Sequence, residues 1–298
     1  IPTAESEDDT NAQGTDGRSV PTLPDSFPAT PADDAPDESE PDEDEPDLET
    51  VAARNTTIYC VQAGSLQRLN ELFGSTEQVM RIGGTATTLA IRPRDAAVFV
   101  WVPGNTECGA GGELARLDPC RSTTERVFQS QDDIQILSMA FDDDELVAVT
   151  EGFNCLGVPL PALRTTIQIP QQGFRPQGPS GGSRAVTFDL QGNRYEVIGG
   201  TGGAILLVVT GPTDVEVSRV AVASTVQRID SILFRSAGSV LASVSETFRV
   251  IQGGRSVQQS RLALVNIDTK TGATTSSREL TAPITAMARG IPCVTFGQ

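Results

Sequence analysis

The hydrophobic pattern along the chain is that of short strands. From about residue 55 onwards, apolar and β-branched residues occur in runs of five to seven, such as AAVFVWV and AILLVV, and Gly, Asp, Asn or Pro breaks each run. Short apolar runs bounded by turn residues are typical of β-strands. Only SLQRLNELF has a spacing that fits a helix, and it fits a strand hairpin equally well. The pattern therefore predicts an all-β fold.

The strands recur with a regular period. Five segments share the order of apolar strand, short polar turn and second apolar strand: TLAIRPRDAAVFVWVPG, ILSMAFDDDELVAVTEG, RAVTFDLQGNRYEVIGG, DSILFRSAGSVLASVSE and ITAMARGIPCVTFGQ. The last strand residues before the turns are Ile91, Phe141, Phe188, Phe234 and Arg289, at spacings of 50, 47, 46 and 55. A second hairpin follows most of these segments; after the second segment only LRTTIQI has the pattern of a strand. Four strands every ~45–50 residues is the period of a β-propeller blade.

One of these hairpins carries a resemblance to known repeats. The segment LVNIDTKTG, with Asp and Thr-Gly at its bend, resembles the blade hairpins of PQQ-like and YVTN-type β-propellers. The resemblance implies the propeller architecture and no particular activity. A β-sandwich also contains many short strands, but it lacks a regular ~48-residue repeat. We therefore expect a propeller, with five blades visible in the pattern and six as the alternative.

The last repeat is incomplete at the end of the chain. ITAMARGIPCVTFGQ supplies two strands of a blade, and the segment 57–84 has the pattern of the two that are missing. Pairing both ends of the chain in one sheet would close the ring and remove an open strand edge. The sequence thus predicts a five-bladed propeller closed by N- and C-terminal strands in one blade.

The charge is concentrated in the first 50 residues. They hold 17 acids, eight prolines and the single base Arg18, which leaves 22 acids and 21 bases for the rest of a chain of net charge −17. Such a segment has too few apolar groups to offset chain entropy. We expect residues 1–54 to be a disordered acidic tail and residues 55–298 to be the propeller domain. The tail is interpreted as a solvated spacer. The alternative is an acidic segment that attracts a basic partner or Ca²⁺.

Cysteine usage points to an oxidising compartment. Five cysteines without any histidine argue against zinc sites and Cys–His catalysis, and they fit disulfides better. The sequence starts at Ile1 and not at Met, which suggests that a signal peptide has been removed. We expect a protein that is secreted, periplasmic or at the cell surface.

Two disulfides are predicted from the expected strand positions. Cys60 and Cys293 fall on strands that we expect to be neighbours in the closing blade, where a bond would clasp the ring. Cys108 and Cys155 both follow second strands of adjacent blades, so we expect them to be bonded to each other, with Cys108–Cys120 as the rival pairing. One cysteine of the five is then left unpaired, and Cys120 is the candidate.

No catalytic constellation, cofactor motif or metal site is evident. The acid cluster FDDDELV is interpreted as a solvated turn. The alternative to a binding function is an extracellular hydrolase that uses two carboxylates from different blades in the central funnel, which would need stacking aromatics if sugar is the substrate. The nearly neutral body and acidic tail argue against nucleic acid as a partner. No apolar run is long enough for membrane insertion.

Topology indicates where a partner would bind. Loops that join second to third strands, and loops between blades, share one face, and the long irregular segments 103–112, 151–162, 171–183 and 246–260 fall there. Insertions on one face of a rigid scaffold are where binding usually evolves. The exposed candidates for contact with a protein partner are Phe174, Arg175, Arg249 and Arg255. The expected function is therefore that of a non-enzymatic protein-binding or scaffolding module, either alone or as a subunit of a surface assembly.

Overall fold

The computed structural model describes residues 57–82, 86–104, 111–130, 134–153, 159–169, 172–199, 203–236, 238–252 and 255–292. Within these ranges the fold consists of strands and turns, and none of it is a helix that could cross a membrane. Every described residue belongs to the compact unit of residues 46–298. The boundary between tail and propeller at residues 54 and 55 stays a prediction.

Twenty strands make up the described fold. Their bounds are β1 (Thr57–Gln62), β2 (Ser65–Asn70), β3 (Ser75–Arg81), β4 (Thr88–Ile91), β5 (Val98–Val102), β6 (Glu113–Asp118), β7 (Thr123–Gln129), β8 (Ile134–Asp142), β9 (Glu145–Phe153), β10 (Pro159–Gln168), β11 (Gly173–Pro179), β12 (Ser183–Phe188), β13 (Arg194–Gly199), β14 (Ile205–Thr210), β15 (Glu216–Ala221), β16 (Val226–Ser236), β17 (Ser239–Gln252), β18 (Arg255–Asp268), β19 (Thr274–Glu279) and β20 (Ala286–Gly290).

The strands form five antiparallel sheets of four, which are the blades of a five-bladed propeller. Blade one is β4 to β7, blade two β8 to β11, blade three β12 to β15 and blade four β16 to β19; blade five has the order β20-β1-β2-β3. The first strands of the blades contact one another in the cyclic order β4, β8, β12, β16, β20 and back to β4, so they are the inner strands around a central channel. The predicted fold class and blade number are confirmed.

The second repeat differs from its prediction. Blade two takes its third strand from β10 and its fourth from β11, so that the segment 171–183, expected to be a loop, contains a strand. β11 includes Pro176 and Pro179. An edge strand tolerates proline because one side of it needs no hydrogen-bond donors. The segment 246–260 is likewise mostly strand, shared between β17 and β18.

Each blade has two kinds of end. Because successive strands are antiparallel, the turns from first to second and from third to fourth strand lie at one end of the ring, which we call the short-turn face. The connections from second to third strand, and from blade to blade, lie at the opposite end, which we call the loop face.

Hydroxyl side chains on the inner strands bond backbone groups of the next blade. The Ser138 hydroxyl accepts the Val186 N–H at 3.0 Å, and the Ser231 hydroxyl donates to the Ile284 carbonyl at 2.8 Å. The partners are 48 and 53 residues apart, about one blade period. Inner strands have an edge without a strand partner, so these hydroxyls satisfy backbone groups that would otherwise be buried and unpaired.

Blade five is closed by one C-terminal strand and three N-terminal strands, rather than by two of each. β20 pairs directly with β1, in a register that places Tyr59 opposite Ala288 and Cys60 opposite Met287. The predicted closure by both chain ends is confirmed, and the predicted division of strands is wrong. The expected strand around Cys293 lies outside the described residues.

Candidate functional site

A central cavity opens on the short-turn face. Its volume is about 1000 Å³. All five blades contribute to the wall through the last residues of their inner strands, which are Leu89–Ile91, Met139–Phe141, Val186–Phe188, Leu233–Arg235 and Met287–Arg289. Most of these side chains are apolar. We call this opening, together with the turns around it, the channel mouth. It is an apolar cavity formed by five equivalent segments of the repeat.

Exposed apolar side chains lie at the rim. Leu190, in the first turn of blade three, is 71% exposed, and Ile291, directly after β20, is 62% exposed; both line the cavity. Leu72 and Phe73 in the β2–β3 turn are 72% and 73% exposed on the same face. Large apolar side chains that stay in water around a concave site are typical of a surface that binds another molecule.

Blades four and five place positive charge at the mouth. Arg235 and Arg289 lie on their inner strands and share one carboxylate, that of Glu71, at 3.5 and 3.8 Å. Burial lowers the pKa of Arg289, the positive charge of Arg235 lowers it further, and Glu71 opposes both effects. Two guanidinium groups with one carboxylate leave net positive charge on this side of the mouth.

Blades two and three place negative charge on the other side. Asp142 ends the inner strand of blade two, and burial raises the pKa of its carboxyl, assisted by the charges of Glu145 and Asp143. The positive charge of Arg194 opposes these effects, and Asp189 of blade three adds to them. Asp143 and Asp144 are exposed, as the interpretation of FDDDELV as a solvated turn expects, but Asp143 lines the cavity together with the half-buried Asp142.

Asp189 has a structural role in its own turn. Its carboxylate accepts the backbone N–H groups of Gln191 and Asn193 at 2.9 and 2.8 Å, the Asn193 side-chain amide at 2.7 Å and the Tyr195 hydroxyl at 3.1 Å. An Asp that bonds the backbone ahead of it is the usual way to fix a tight turn.

A polar side pocket adjoins the channel mouth between blades two and three. Its volume is about 480 Å³, and it shares Asp142, Phe188 and Gly192 with the central cavity. Among the described residues, buried apolar clusters fill the other four joints between blades. The wall of the side pocket instead includes Arg164 and Arg194. Both arginines belong to a buried network of ion pairs.

The centre of that network is Glu196 on β13. Only 4% of its side chain is exposed, and it pairs with Arg164 of blade two at 3.4 Å and with Arg194 at 3.1 Å. Arg194 also binds Asp214 at 2.9 Å, and this hydrogen bond is the main reason that the pKa of Asp214 is lowered. The joint between blades two and three thus contains a buried ion network, in addition to the hydrogen bond of Ser138 to Val186.

The structure does not bring the predicted contact residues together. Phe174 is half-buried and packs edge-on against Trp101 and Phe128, with ring centroids 5.9 and 5.6 Å apart, so the expectation that it is exposed is wrong. Arg175 is exposed and lines the polar side pocket at the short-turn face. Arg249 and Arg255 are exposed on β17 and β18 towards the loop face. Their role in binding stays a prediction.

Two of the disulfide predictions need correction. Cys60 is a free, buried thiol, so the predicted bond to Cys293 is wrong: the residue that β20 places opposite Cys60 is Met287. Cys120, the expected unpaired cysteine, is disulfide-bonded. Cys108, Cys155 and Cys293 lie outside the described residues, and the Cys108–Cys155 bond stays a prediction.

Sequence reasoning missed the channel mouth because single exposed apolar residues such as Leu190 are common on any surface. A signal was present in the repeat itself, since the five inner strands end at equivalent positions and so must meet at one opening. Within the described residues, no group of three or more His, Cys, Asp or Glu is placed to hold a metal ion.

Comparisons with known proteins add little to this description. The sequence matches no family model and no curated protein. Among solved structures, the crystal structure of TolB from Acinetobacter baumannii is similar in fold, with a TM-score of 0.44 and 9% sequence identity. The similarity covers 79% of this chain and only 66% of that protein's length. At this level it carries no argument about what the present chain binds.

Proposed function

We propose that this chain is a non-enzymatic β-propeller that binds another protein at its channel mouth. The observation that carries the proposal is the cavity of about 1000 Å³ with Leu190 and Ile291 left exposed at its rim. Burial of such side chains against a partner is the main source of affinity in protein interfaces. The proposed surface lies on the short-turn face, opposite to the one that the loop lengths favoured.

The charges around the mouth define the partner's chemistry. Arg235 and Arg289 on one side would attract an acidic residue, and Asp142 on the other side would attract a basic one. Between them the apolar wall accepts a large apolar side chain. A protein segment with an apolar residue flanked by opposite charges fits this arrangement, and the charge pattern would fix its direction.

The hydrolase alternative is less well supported. Asp142 and Asp189 do come from different blades and both line the cavity. However, the four hydrogen bonds that Asp189 accepts within its turn leave it poorly placed to act as a nucleophile or base. The single tryptophan, Trp101, is fully buried and does not line the cavity, so it cannot stack on a sugar there.

A location outside the cytosol is part of the proposal. The bonded state of Cys120 supports it, because disulfides persist mainly in oxidising compartments. The acidic residues 1–54 are proposed to act as a solvated spacer. Membership of a larger surface assembly is also compatible with a mouth that accepts a protein segment.

Photo-crosslinking tests the proposal. A photoreactive amino acid would replace Leu190 at the rim or, as the matched control, Val217 on β15, the outermost strand of the same blade, which is 68% exposed. The tagged proteins would be irradiated in the secreted and envelope fractions of the source organism. We expect a defined crosslinked protein from position 190 that is missing from position 217.

The captured protein would then be purified and titrated against wild type and Leu190→Asp. We expect at least roughly tenfold weaker binding to the variant, since one buried anchor residue commonly contributes that much. Equal crosslinking at positions 190 and 217, or unchanged affinity of Leu190→Asp, would show that the channel mouth is not the binding surface.

A further inference from the structure

Blade four extends beyond the rest of the ring. β17 and β18 are 14 residues long, whereas the corresponding strands of blade three, β13 and β14, have six residues each. Within the blade, β16 pairs with β17 as far as Glu246, and β19 pairs with β18 from Ala263. Residues 247–252 and 255–260 lie beyond these limits and pair with each other; we call them the arm.

The arm is a two-stranded ribbon with open edges. Its pairing runs from Thr247 opposite Ser260 to Gln252 opposite Arg255. Six extended residues span about 20 Å. The Thr247 N–H bonds the Thr225 carbonyl at 2.7 Å and is the last described backbone bond from the arm to the blade. Beyond it, both strands have one edge whose backbone donors and acceptors face water, which is a template for another strand.

The side chains of the arm suit an interaction surface. Ile251 is 81% exposed and Val257 is 38% exposed, so branched apolar groups lie along a ribbon that no other described element covers. Val250 pairs with Val257 across the ribbon. Isolated two-stranded ribbons are marginally stable in water, and an added third strand would stabilise this one.

The charge of the arm differs from that of the chain as a whole. Residues 247–260 contain Arg249 and Arg255 and no acid, in a chain of net charge −17. Both arginines are exposed. Like charges on an edge strand oppose pairing with a second copy of the same edge, while they favour a strand of opposite charge.

We propose that the arm binds an extended acidic segment of a partner protein by β-strand addition. Arg249 lies on β17 and Arg255 on β18, so each free edge of the ribbon carries one arginine. Backbone hydrogen bonds along an open edge would supply affinity, and the arginine of that edge would select acidic side chains on the incoming strand. The acidic tail of this chain is a poor candidate for that strand, because proline recurs through it and removes backbone donors. The arm lies towards the loop face, so this interaction is separate from the one proposed at the channel mouth.

Synthetic peptides test the proposal with the intact protein. The probe is a labelled ten-residue peptide of alternating Val and Glu, and its binding is followed by fluorescence anisotropy. One control peptide alternates Val and Lys. A second control is the Val–Glu peptide with every amide N-methylated, which keeps its charge and removes the donors along both edges. A third is the proline-containing peptide of residues 33–50. We expect the Val–Glu probe to bind at least tenfold more tightly than each control.

Matched variants locate the binding to the arm. Arg249→Glu/Arg255→Glu should reverse the preference, so that the Val–Lys peptide binds better than Val–Glu. Arg121→Glu/Arg126→Glu changes the net charge equally at exposed positions of blade one, where the side chains are 83% and 62% exposed, and should leave the preference intact. Thermal melting would show that both double variants are folded.

Three results would overturn the proposal. Equal affinity of the N-methylated and parent peptides would mean that charge alone, and not strand addition, causes binding. An unchanged preference in Arg249→Glu/Arg255→Glu would place the site elsewhere. An arm-dependent dimer in sedimentation that excludes the probe would identify a second copy as the occupant.

Discussion

Blades four and five have the same four-stranded plan and are assembled in different ways. Blade four comes from one continuous segment, and eight residue pairs join its inner strand β16 to β17. Blade five takes its inner strand from the end of the described chain and the other three from its beginning, with five residue pairs between β20 and β1. The comparison shows that the ring can be closed by strand pairing where no peptide links the first strand to the second.

Side-chain hydrogen bonds support the seam between β20 and β1. The Tyr59 hydroxyl donates to the Ile291 carbonyl at 3.2 Å, and the Gln62 amide donates to the Ala282 carbonyl at 2.8 Å. The backbone N–H of Thr285 donates to the Val61 carbonyl at 3.0 Å. These partners are more than 200 residues apart in sequence, so the seam joins the two ends of the chain non-covalently. In place of the expected disulfide between Cys60 and Cys293, the seam contains the buried free thiol of Cys60 opposite Met287.

The largest expected effect comes from a charge buried at the seam. Met287 is 6% exposed and packs in the cluster between blades four and five. Met287→Lys should cost about 3–5 kcal/mol of unfolding free energy, because it buries an unpaired charge. Urea unfolding followed by the fluorescence of Trp101 would measure the loss.

Leu233→Lys is the matched change in the continuous blade, since Leu233 has the same 6% exposure and belongs to the same cluster. We expect equal losses at the two positions. A much smaller loss for Met287→Lys would mean that β20 detaches from the ring on its own, and the seam would then be weaker than blade four.

The free thiol of Cys60 makes stability depend on pH at the seam. Burial raises its pKa from 9.0 to about 12. Above pH 9 the unfolded chain releases this proton and the folded protein retains it, so the unfolding free energy falls as the pH rises towards 12. The slope is about 1.4 kcal/mol per pH unit, or about 2 kcal/mol between pH 9 and 10.5.

Cys60→Ala isolates this effect, because every other titrating group is common to both proteins. Chemical unfolding from pH 8 to 10.5 should show the wild type losing stability faster than the variant, with the two curves differing by a constant amount below pH 8.5. Parallel curves over the whole range would show that Cys60 does not remain a protonated, buried thiol.

A smaller effect is expected where the seam has no room for a side chain. A Cβ on Gly290 of β20 would lie 2.8 Å from Ile91 Cδ1 and 3.2 Å from the Tyr59 ring, whereas one on Gly199 of β13 would meet nothing within 4 Å. Gly290→Ala should therefore destabilise the protein by about 1–2 kcal/mol through overpacking. Gly199→Ala should be neutral or slightly stabilising, since it only restricts the unfolded chain. Melting curves that rank the two variants in the opposite order would contradict the packing at the seam.

The contrast between the two blades also explains what the sequence could predict. The hairpins of blade four are evident because apolar runs end in turn residues at the period of the repeat, and the same reasoning predicted the ring of five. The division of strands in blade five was missed because the residues on either side of Gly290 have the same β-forming character, so the pattern does not show where pairing with β1 ends. β11 was missed because its Gly and Pro residues are typical of a loop.

The candidate site was less predictable than the fold. Asp142 and Asp143 are adjacent in one acidic run and both line the cavity, yet Asp142 is half-buried and Asp143 is exposed, a difference that depends on the position where β8 ends. The pairing of Glu196 with Arg164 joins two blades and has no local sequence signal. The position of Cys60 illustrates the same limit, because a shift in strand division moved its neighbour from Cys293 to Met287.

The smallest effect is expected from removal of the chain that precedes the seam. Residues 1–54 are rich in acids and proline and contain few groups that could be buried, so we expect them to contribute little to the free energy of folding. A protein that starts at residue 55 retains all of β1 and should melt within about 2 °C of the full chain, a change of less than about 1 kcal/mol for a domain of this size. The matched control starts at residue 63 and lacks β1; it should fail to fold, because β20 would lose its partner and blade five its second strand. Scanning calorimetry of the three chains at equal concentration would measure both effects. If removal of residues 1–54 lowered the melting temperature substantially, the tail would be part of the stability of the closing blade, and the seam would depend on more than the pairing of β20 with β1.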